Sequence, residues 1–190
     1  MILEKLNTKY IGNNLLYRES IDSTQKEAWR LVGENVENGT LIMADIQTDG
    51  IGTHGRKWYT NEIGNVAFSI VLYPNCKIEK INNITIDIAN IIVKVFENLY
   101  RIKLNIKSPN DIVYNGKKLG GILTETKVFG EVVKNLVIGI GLNLNQEKFH
   151  EDIIEIATSI KKEFSVEIDR NLIVSEICNV LEKKVIEIDF

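Results

Sequence analysis

Residues 45–58 read DIQTDGIGTHGRKW, and residues 65–73, a little further on, read NVAFSIVLY. The glycines at 50, 52 and 55 have the spacing Gly-x-Gly-x-x-Gly, and Arg56 and Lys57 follow at once. Glycine carries no side chain and tolerates positive φ, so such a loop lets consecutive backbone N–H groups approach an anion. A phosphate or an acyl phosphate is therefore the first ligand to consider. The dinucleotide-binding fingerprint needs a helix directly after the glycines. Here a β-rich run bounded by Gly64 and Pro74 follows instead, which puts the loop between two strands. Protein kinases also place a glycine-rich loop between strands, but this chain has neither an HRD nor a DFG triplet. Taken alone, the spacing favours a structural hairpin loop.

Working outward, Thr40–Ala44 (TLIMA) reads as a buried strand that delivers the chain into the loop, with Gln47 at its mouth. Upstream, Leu15–Arg18 is a strand and Ile21–Gly33 a short helix, with Thr24 and Glu27 as a capping box and Gly33 as its stop. Downstream, Ile84, Ile88, Ile91, Ile92, Val95, Phe96 and Leu99 fall on one face of a helix over Ile81–Arg101. Leu104–Lys107 and Ile112–Tyr114 are strands around Ser108-Pro109-Asn110-Asp111, and Asn115-Gly116 is a strong hairpin signal. The returning arm, Lys117–Glu125, contains Gly120 and Gly121; adjacent glycines in a strand mark close approach by a ligand or another backbone. After a turn at Phe129–Glu131, Leu136–Leu144 adds another strand to an antiparallel sheet. The tail suggests a short helix over 151–162 and a longer one over 169–188 capped by Asp169, with Leu172, Ile173, Ile177, Val180 and Leu181 inward.

At 190 residues and 21.6 kDa, with 44% hydrophobic and 26% charged residues, the composition suits one globular domain spanning 1–190. The formal charge of −3 and pI of about 5.6 argue against a protein devoted to nucleic acid. Cys76 and Cys178 match no metal or redox spacing and read as buried thiols. No signal-peptide core or membrane span is visible, so a cytoplasmic location is expected.

Four stretches concentrate unusual polar or glycine-rich chemistry: DSTQ at 22–25, QTDGIGTHGRKW at 47–58, KSPNDIVYNGKKLGGILTE at 107–125 and IGIGLNLN at 138–145. Together they resemble a biotin protein ligase (biotin–[acetyl-CoA-carboxylase] ligase), catalytic domain only. The resemblance implies an α+β fold of class II synthetase type, a mixed, largely antiparallel sheet with helices packed on one face. It implies a ligase that forms a carbon–nitrogen bond in two steps. Biotin and ATP give biotinyl-5'-AMP and pyrophosphate, and a lysine of a biotin carboxyl carrier protein domain then takes the acyl group.

The first step brings an anion to an anion, so cations and backbone donors must stand where charge accumulates. Lys118, Lys107 and Arg56 are the candidates. By resemblance, Lys118 reaches the biotin carboxylate and the adenylate phosphate, while Lys107 and Arg56 face the nucleotide with Asn110 and Asn143. Asp111, Asn110 and Asn143 are the expected Mg²⁺ ligands, since that ion takes oxygen donors and keeps several waters. Ser23, Thr24, Gln25 and Gln47 suit the ureido ring, which presents one carbonyl and two N–H groups. Gly50, Ile51, Gly52, Thr53, Gly120 and Gly121 complete the biotin site. Many biotin ligases carry arginines where this chain has Ile51 and Thr53, and a tryptophan where it has Ser108. Set against the same resemblance, neither a helix-turn-helix before the domain nor a small β-barrel after it is expected in this chain, and DNA binding is not expected. A lipoate or octanoate transferase of the same fold and a non-catalytic biotin-binding module are the alternatives, and exposed strand edges leave a homodimer open.

Overall fold

In the computed structural model, which describes residues 3–60 and 62–188, the strands on either side of the glycine loop are β2 (Leu41–Gln47) and β3 (Val66–Leu72), and they pair antiparallel. Every residue of β3 is buried, as expected of a central strand covered on both faces. β1 (Leu15–Ile21) lies parallel to β2 on its outer side. On the other side of β3 comes β8 (Val132–Leu142), followed by β7 (Lys117–Phe129), β6 (Asp111–Tyr114) and β5 (Asn105–Lys107), all antiparallel. A two-residue β4 (Cys76–Lys77) attaches to β8. The Asn115-Gly116 turn has φ of 47° and 80°, the pair of positive values that a two-residue hairpin of matching twist requires.

Alternate residues of the central strands feed two separate cores. Leu41, Met43, Ile70, Leu72, Leu136 and Ile138 join the larger core, with α2 (Ile84–Tyr100) and α4 (Arg170–Glu187). Ile42, Val71 and Val137 point the other way and meet Ala28 and Val32 of α1 (Thr24–Gly33). The helices thus cover both faces, contrary to the single covered face that the resemblance implied. Strands apolar on both sides need two covers.

α2 buries Ile84, Ile88, Ile91, Ile92, Val95 and Phe96 as its spacing predicts, but Leu99 is 39% exposed in the last turn. The helix also starts three residues late, because Ile78–Ile81 winds as a separate 3-10 turn. α4 starts at Asp169, whose carboxylate accepts from the N–H groups of Asn171 at 2.9 Å and Leu172 at 3.2 Å. Arg170, next in line, pairs with buried Asp45 of β2 at 2.5 Å and ties the helix start to the sheet.

The helix expected over 151–162 shrinks to α3 (Ile160–Phe164), preceded by turns. The backbone there is taken by the sheet: Lys118 N–H donates to Ile156 O, Thr158 N–H to Lys118 O, and Ile160 N–H to Asn143 O. An extended strap therefore crosses the ends of β7 and β8. Cys76 and Cys178 are both buried. No helix among the described residues is long and apolar enough to cross a membrane.

Candidate active site

Small residues open a trough on the α1 face of the sheet. Ala67, Gly141 and Gly121 stand opposite one another across β3, β8 and β7, and so do Ser69, Gly139 and Leu123. Directly paired antiparallel residues share a face, so two adjacent rows lack large side chains except at Leu123. A cavity of about 40 Å³ lies there, walled by Ser23, Thr24, Gln25 and Gln47 and covered by Ile51, Gly52, Thr53 and Trp58 of the glycine loop.

The wall is built from polar groups that the chain turns inward. Ser23 precedes α1 in extended conformation, yet its side chain makes no capping bond. Thr24, expected to cap the helix, instead donates its backbone N–H to Gln47 Oε1 at 2.8 Å, with its hydroxyl 3.2 Å from the same oxygen. Glu27 pairs with Arg30 at 2.7 Å and closes no capping box. The Ser23 hydroxyl is buried and has no protein partner. An unpaired buried hydroxyl costs roughly 1–3 kcal/mol, so a group that lines a cavity in this state marks where a ligand would bond.

The loop is a small hairpin in its own right. Trp58 N–H donates to Gly50 O at 2.9 Å and Gly52 N–H to Arg56 O at 2.7 Å, around a 3-10 turn at Thr53–Gly55. A Cβ on Gly50 would lie 2.4 Å from Trp58 O. Gly50 therefore serves the hairpin's own backbone and does not line the trough. Trp58 lays its indole on Gly141, where a Cβ would come within 2.4 Å of the ring.

A second cavity of about 300 Å³ adjoins the first and shares Gly52, Thr53, Trp58 and Lys118 with it. Arg56, Tyr59, Asn143 and the strap residues Ile153 and Ile156 line its outer part. Tyr59 donates to Asp152 at 2.6 Å, and that bond raises the phenol pKa. Lys118 stands at the junction, with Nζ 2.6 Å from Asp111 Oδ1 and 5.7 Å from the Trp58 ring centroid. Asn110 lines the first cavity, its Nδ2 directed at Ile122 O; Asn143 lines the second, its Nδ2 bonded to Thr158 O.

Besides Gly50, three expected residues line neither cavity: Asp111, which reaches Lys118 from β6, and Lys107 and Gly120. Lys107 is exposed on the edge strand β5, opposite Asp111. Gly120 faces the opposite side, where a Cβ would meet Leu142 at 2.6 Å, so strand packing accounts for it; its neighbour Gly121 faces the trough. Trp58, Gly139 and Gly141 lie in the stretches 47–58 and 138–145 but have no assigned role in the sequence reading, and Ser69 lies outside those stretches. The alternation Ala67-x-Ser69 and Gly139-x-Gly141 was the available signal, a period-2 row of small residues.

Among the described residues no cluster of three or more His, Cys, Asp or Glu could hold a metal. Asp111, paired with Lys118, and the side-chain oxygens of Asn110 and Asn143, which line different cavities, are donors of the type that would suit a Mg²⁺ arriving bound to phosphates.

The model of the biotin/lipoate A/B protein ligase family matches residues 17–143. The bifunctional ligase/repressor BirA of Bacillus subtilis (strain 168) is 38% identical over 181 residues, covering 94% of this chain and 56% of that protein. The biotin–[acetyl-CoA-carboxylase] ligase of Paracoccus denitrificans is 32% identical over 128 residues, covering 65% of this chain and 51% of its own length. The chain thus spans little more than half the length of these curated relatives. Among solved structures, the biotin protein ligase from Aquifex aeolicus in complex with biotin and ATP superposes with a TM-score of 0.78 at 29% identity, covering 93% of this chain and 72% of that one.

Proposed function

The chain belongs to the biotin/lipoate A/B protein ligase family, and from that premise we propose that it forms biotinyl-5'-AMP from biotin and ATP and passes biotin to a lysine of a carrier protein domain. The observation that carries the choice of biotin is the polar wall with its unpartnered buried Ser23 hydroxyl. A ureido ring offers one acceptor and two donors to such a wall. The dithiolane of lipoate offers none, and would leave the Ser23 hydroxyl unpaired at a cost that disfavours it.

In the first step a biotin carboxylate oxygen attacks the α-phosphorus of ATP, and the bond to pyrophosphate breaks. In the second, the acceptor amine attacks the acyl carbon, an amide forms and AMP leaves. Lys118 sits between the two cavities, where its ammonium would meet both the carboxylate and the α-phosphate. Asp111, Asn110 and Asn143 would hold Mg²⁺, which neutralises phosphate charge when bound. Arg56 and Lys57 of the loop both line the second cavity, and Arg56 is the one assigned to the nucleotide.

The test is direct. The protein incubated with biotin and Mg-ATP should release pyrophosphate and accumulate biotinyl-5'-AMP, then label a carrier-domain lysine. Pyrophosphate release with lipoate and none with biotin would sink the assignment. Asp111→Asn should raise the Mg²⁺ requirement and slow adenylation about tenfold, with transfer from pre-made biotinyl-5'-AMP much less affected. Equal loss in both steps would make Asp111 a turn residue only.

The indole of Trp58 lies on Gly141 across the first cavity, so on the biotin reading the loop would lift and close again over the ligand. Amide exchange across residues 47–57 should slow on addition of biotinyl-5'-AMP. Exchange that stays the same would describe a rigid hairpin with no part in covering the ligand.

A further inference from the structure

Glu125 stands outside the first cavity, yet its carboxylate sets the direction of the hydrogen bonds that line it. On β7 it follows Gly121 and Leu123 by even steps and so shares their face. Its Oε2 accepts from Gln25 Nε2 at 2.9 Å and from Trp29 Nε1 at 2.7 Å, both donors carried by α1. Gln25 is 2% exposed and lines the cavity. Its Oε1 lies 3.0 Å from Ser69 Oγ, and Ser69 Oγ is in turn 3.0 Å from Thr24 Oγ1. Thr24 bonds to Gln47 Oε1, and Gln47 Nε2 donates to Thr60 Oγ1 at 3.1 Å. A continuous buried chain thus runs from Glu125 to Thr60 around the polar end of the trough.

Most members of this chain have no fixed polarity. Hydroxyls donate or accept, and an amide side chain serves a hydroxyl neighbour in either of its two orientations. Two members are fixed. The Thr24 backbone N–H only donates, which turns Gln47 Oε1 toward it. The Glu125 carboxylate only accepts, which turns the Gln25 NH₂ toward it and leaves Oε1 facing Ser69. Gly139 leaves Gln25 the space, since a Cβ there would stand 2.5 Å from Oε1.

We propose that Glu125 is a positioning residue for recognition of the biotin head group, locking Gln25 in one amide orientation so that the wall presents a single donor–acceptor pattern. The inference rests on the biotin reading given above. A ureido ring is a rigid array of one acceptor between two donors, and a wall whose amide flips matches it in only part of its states. Glutamine at 125 keeps the size but replaces the charged acceptor shared by Gln25 and Trp29 with a single neutral amide oxygen, which holds the Gln25 NH₂ more weakly.

The experiment compares the wild-type chain with Glu125→Gln. Calorimetric biotin affinity, ATP affinity, and steady-state adenylation are measured for both. In the ligand-free proteins, side-chain amide NMR follows the Gln25 Nε2 protons. The wild type should show those protons protected from exchange, and Glu125→Gln should lose that protection. Biotin binding in the variant should weaken about tenfold, the size expected for one hydrogen bond to a charged group. The KM for biotin should rise while kcat and ATP affinity hold. Unchanged biotin affinity in Glu125→Gln, or loss of ATP affinity in the same proportion, overturns the proposal; the second result would make Glu125 a fold residue. Failure of the wild type to bind biotin at all would instead overturn the biotin reading, and the NMR comparison would still decide whether Glu125 anchors Gln25.

Discussion

Lys118→Met should leave the sheet folded and lower the rate of biotinyl-5'-AMP formation by about 10²–10³-fold, the loss typical when one preorganised electrostatic group is removed from a reacting centre. The structural role of residue 118 lies in its backbone, which pairs with Val113 across the hairpin and with Ile156 and Thr158 of the strap. Methionine retains those bonds and most of the volume against Trp58. What it removes is the ammonium at the junction of the two cavities, 2.6 Å from Asp111. Both partners keep some contact with water, with side-chain exposures of 30% and 18%, so loss of the pair costs stability modestly. The reaction has no such relief, because a carboxylate must approach a phosphate where solvent is being excluded. Single-turnover pyrophosphate release measures the effect, with unfolding checked in parallel. Adenylation at the wild-type rate would remove Lys118 from the chemistry.

Glu182→Ala should produce the largest loss of stability, about 3–5 kcal/mol, the order expected when three backbone N–H groups lose one ionised acceptor. Glu182 lies on the buried face of α4 and accepts three successive backbone N–H groups, those of Lys9 at 2.5 Å, Tyr10 at 2.9 Å and Ile11 at 2.9 Å. Alanine would leave these donors without a partner beneath the N-terminal segment, with Ile11 wholly buried. Burial, with the nearby carboxylate second, also pushes the Tyr10 phenol and the Cys178 thiol upward. At roughly 2–4 °C per kcal/mol for a chain of this size, the thermal midpoint should fall by about 6–20 °C. Biotin and ATP affinities measured well below that midpoint should hold, because α4 packs on the face opposite the trough. A shift of a degree or less would mean that water replaces the carboxylate without loss.

Much of this molecule is legible in its local patterns. The run Val66–Leu72 after the glycines, the Asn115-Gly116 turn, the apolar stripe of α2 and the Asp169 cap all appear where the sequence puts them. Each depends on interactions within a few residues: side-chain alternation, helical period, positive φ, a cap two residues from its donors. The motif residues Ser23, Thr24, Gln25, Gln47, Asn110 and Lys118 likewise meet at one cavity, and their types already spoke for an anion and a ureido ring.

The partners of those residues were decided by tertiary structure alone. Thr24 looks like a helix cap in sequence, and its hydroxyl is turned from that role toward Gln47, while the buried Ser23 hydroxyl is left without a protein partner. The strap over 157–159 stays out of the helix because β7 and β8 supply backbone partners that no local pattern reveals. Gln25 and Glu125 are 100 positions apart, and Ile11 and Glu182 are 171. Periodicity and backbone preference act between neighbours and so are written along the chain. A buried polar group takes whichever partner the completed fold brings within about 3 Å, and that choice exists only once the strands and helices have packed.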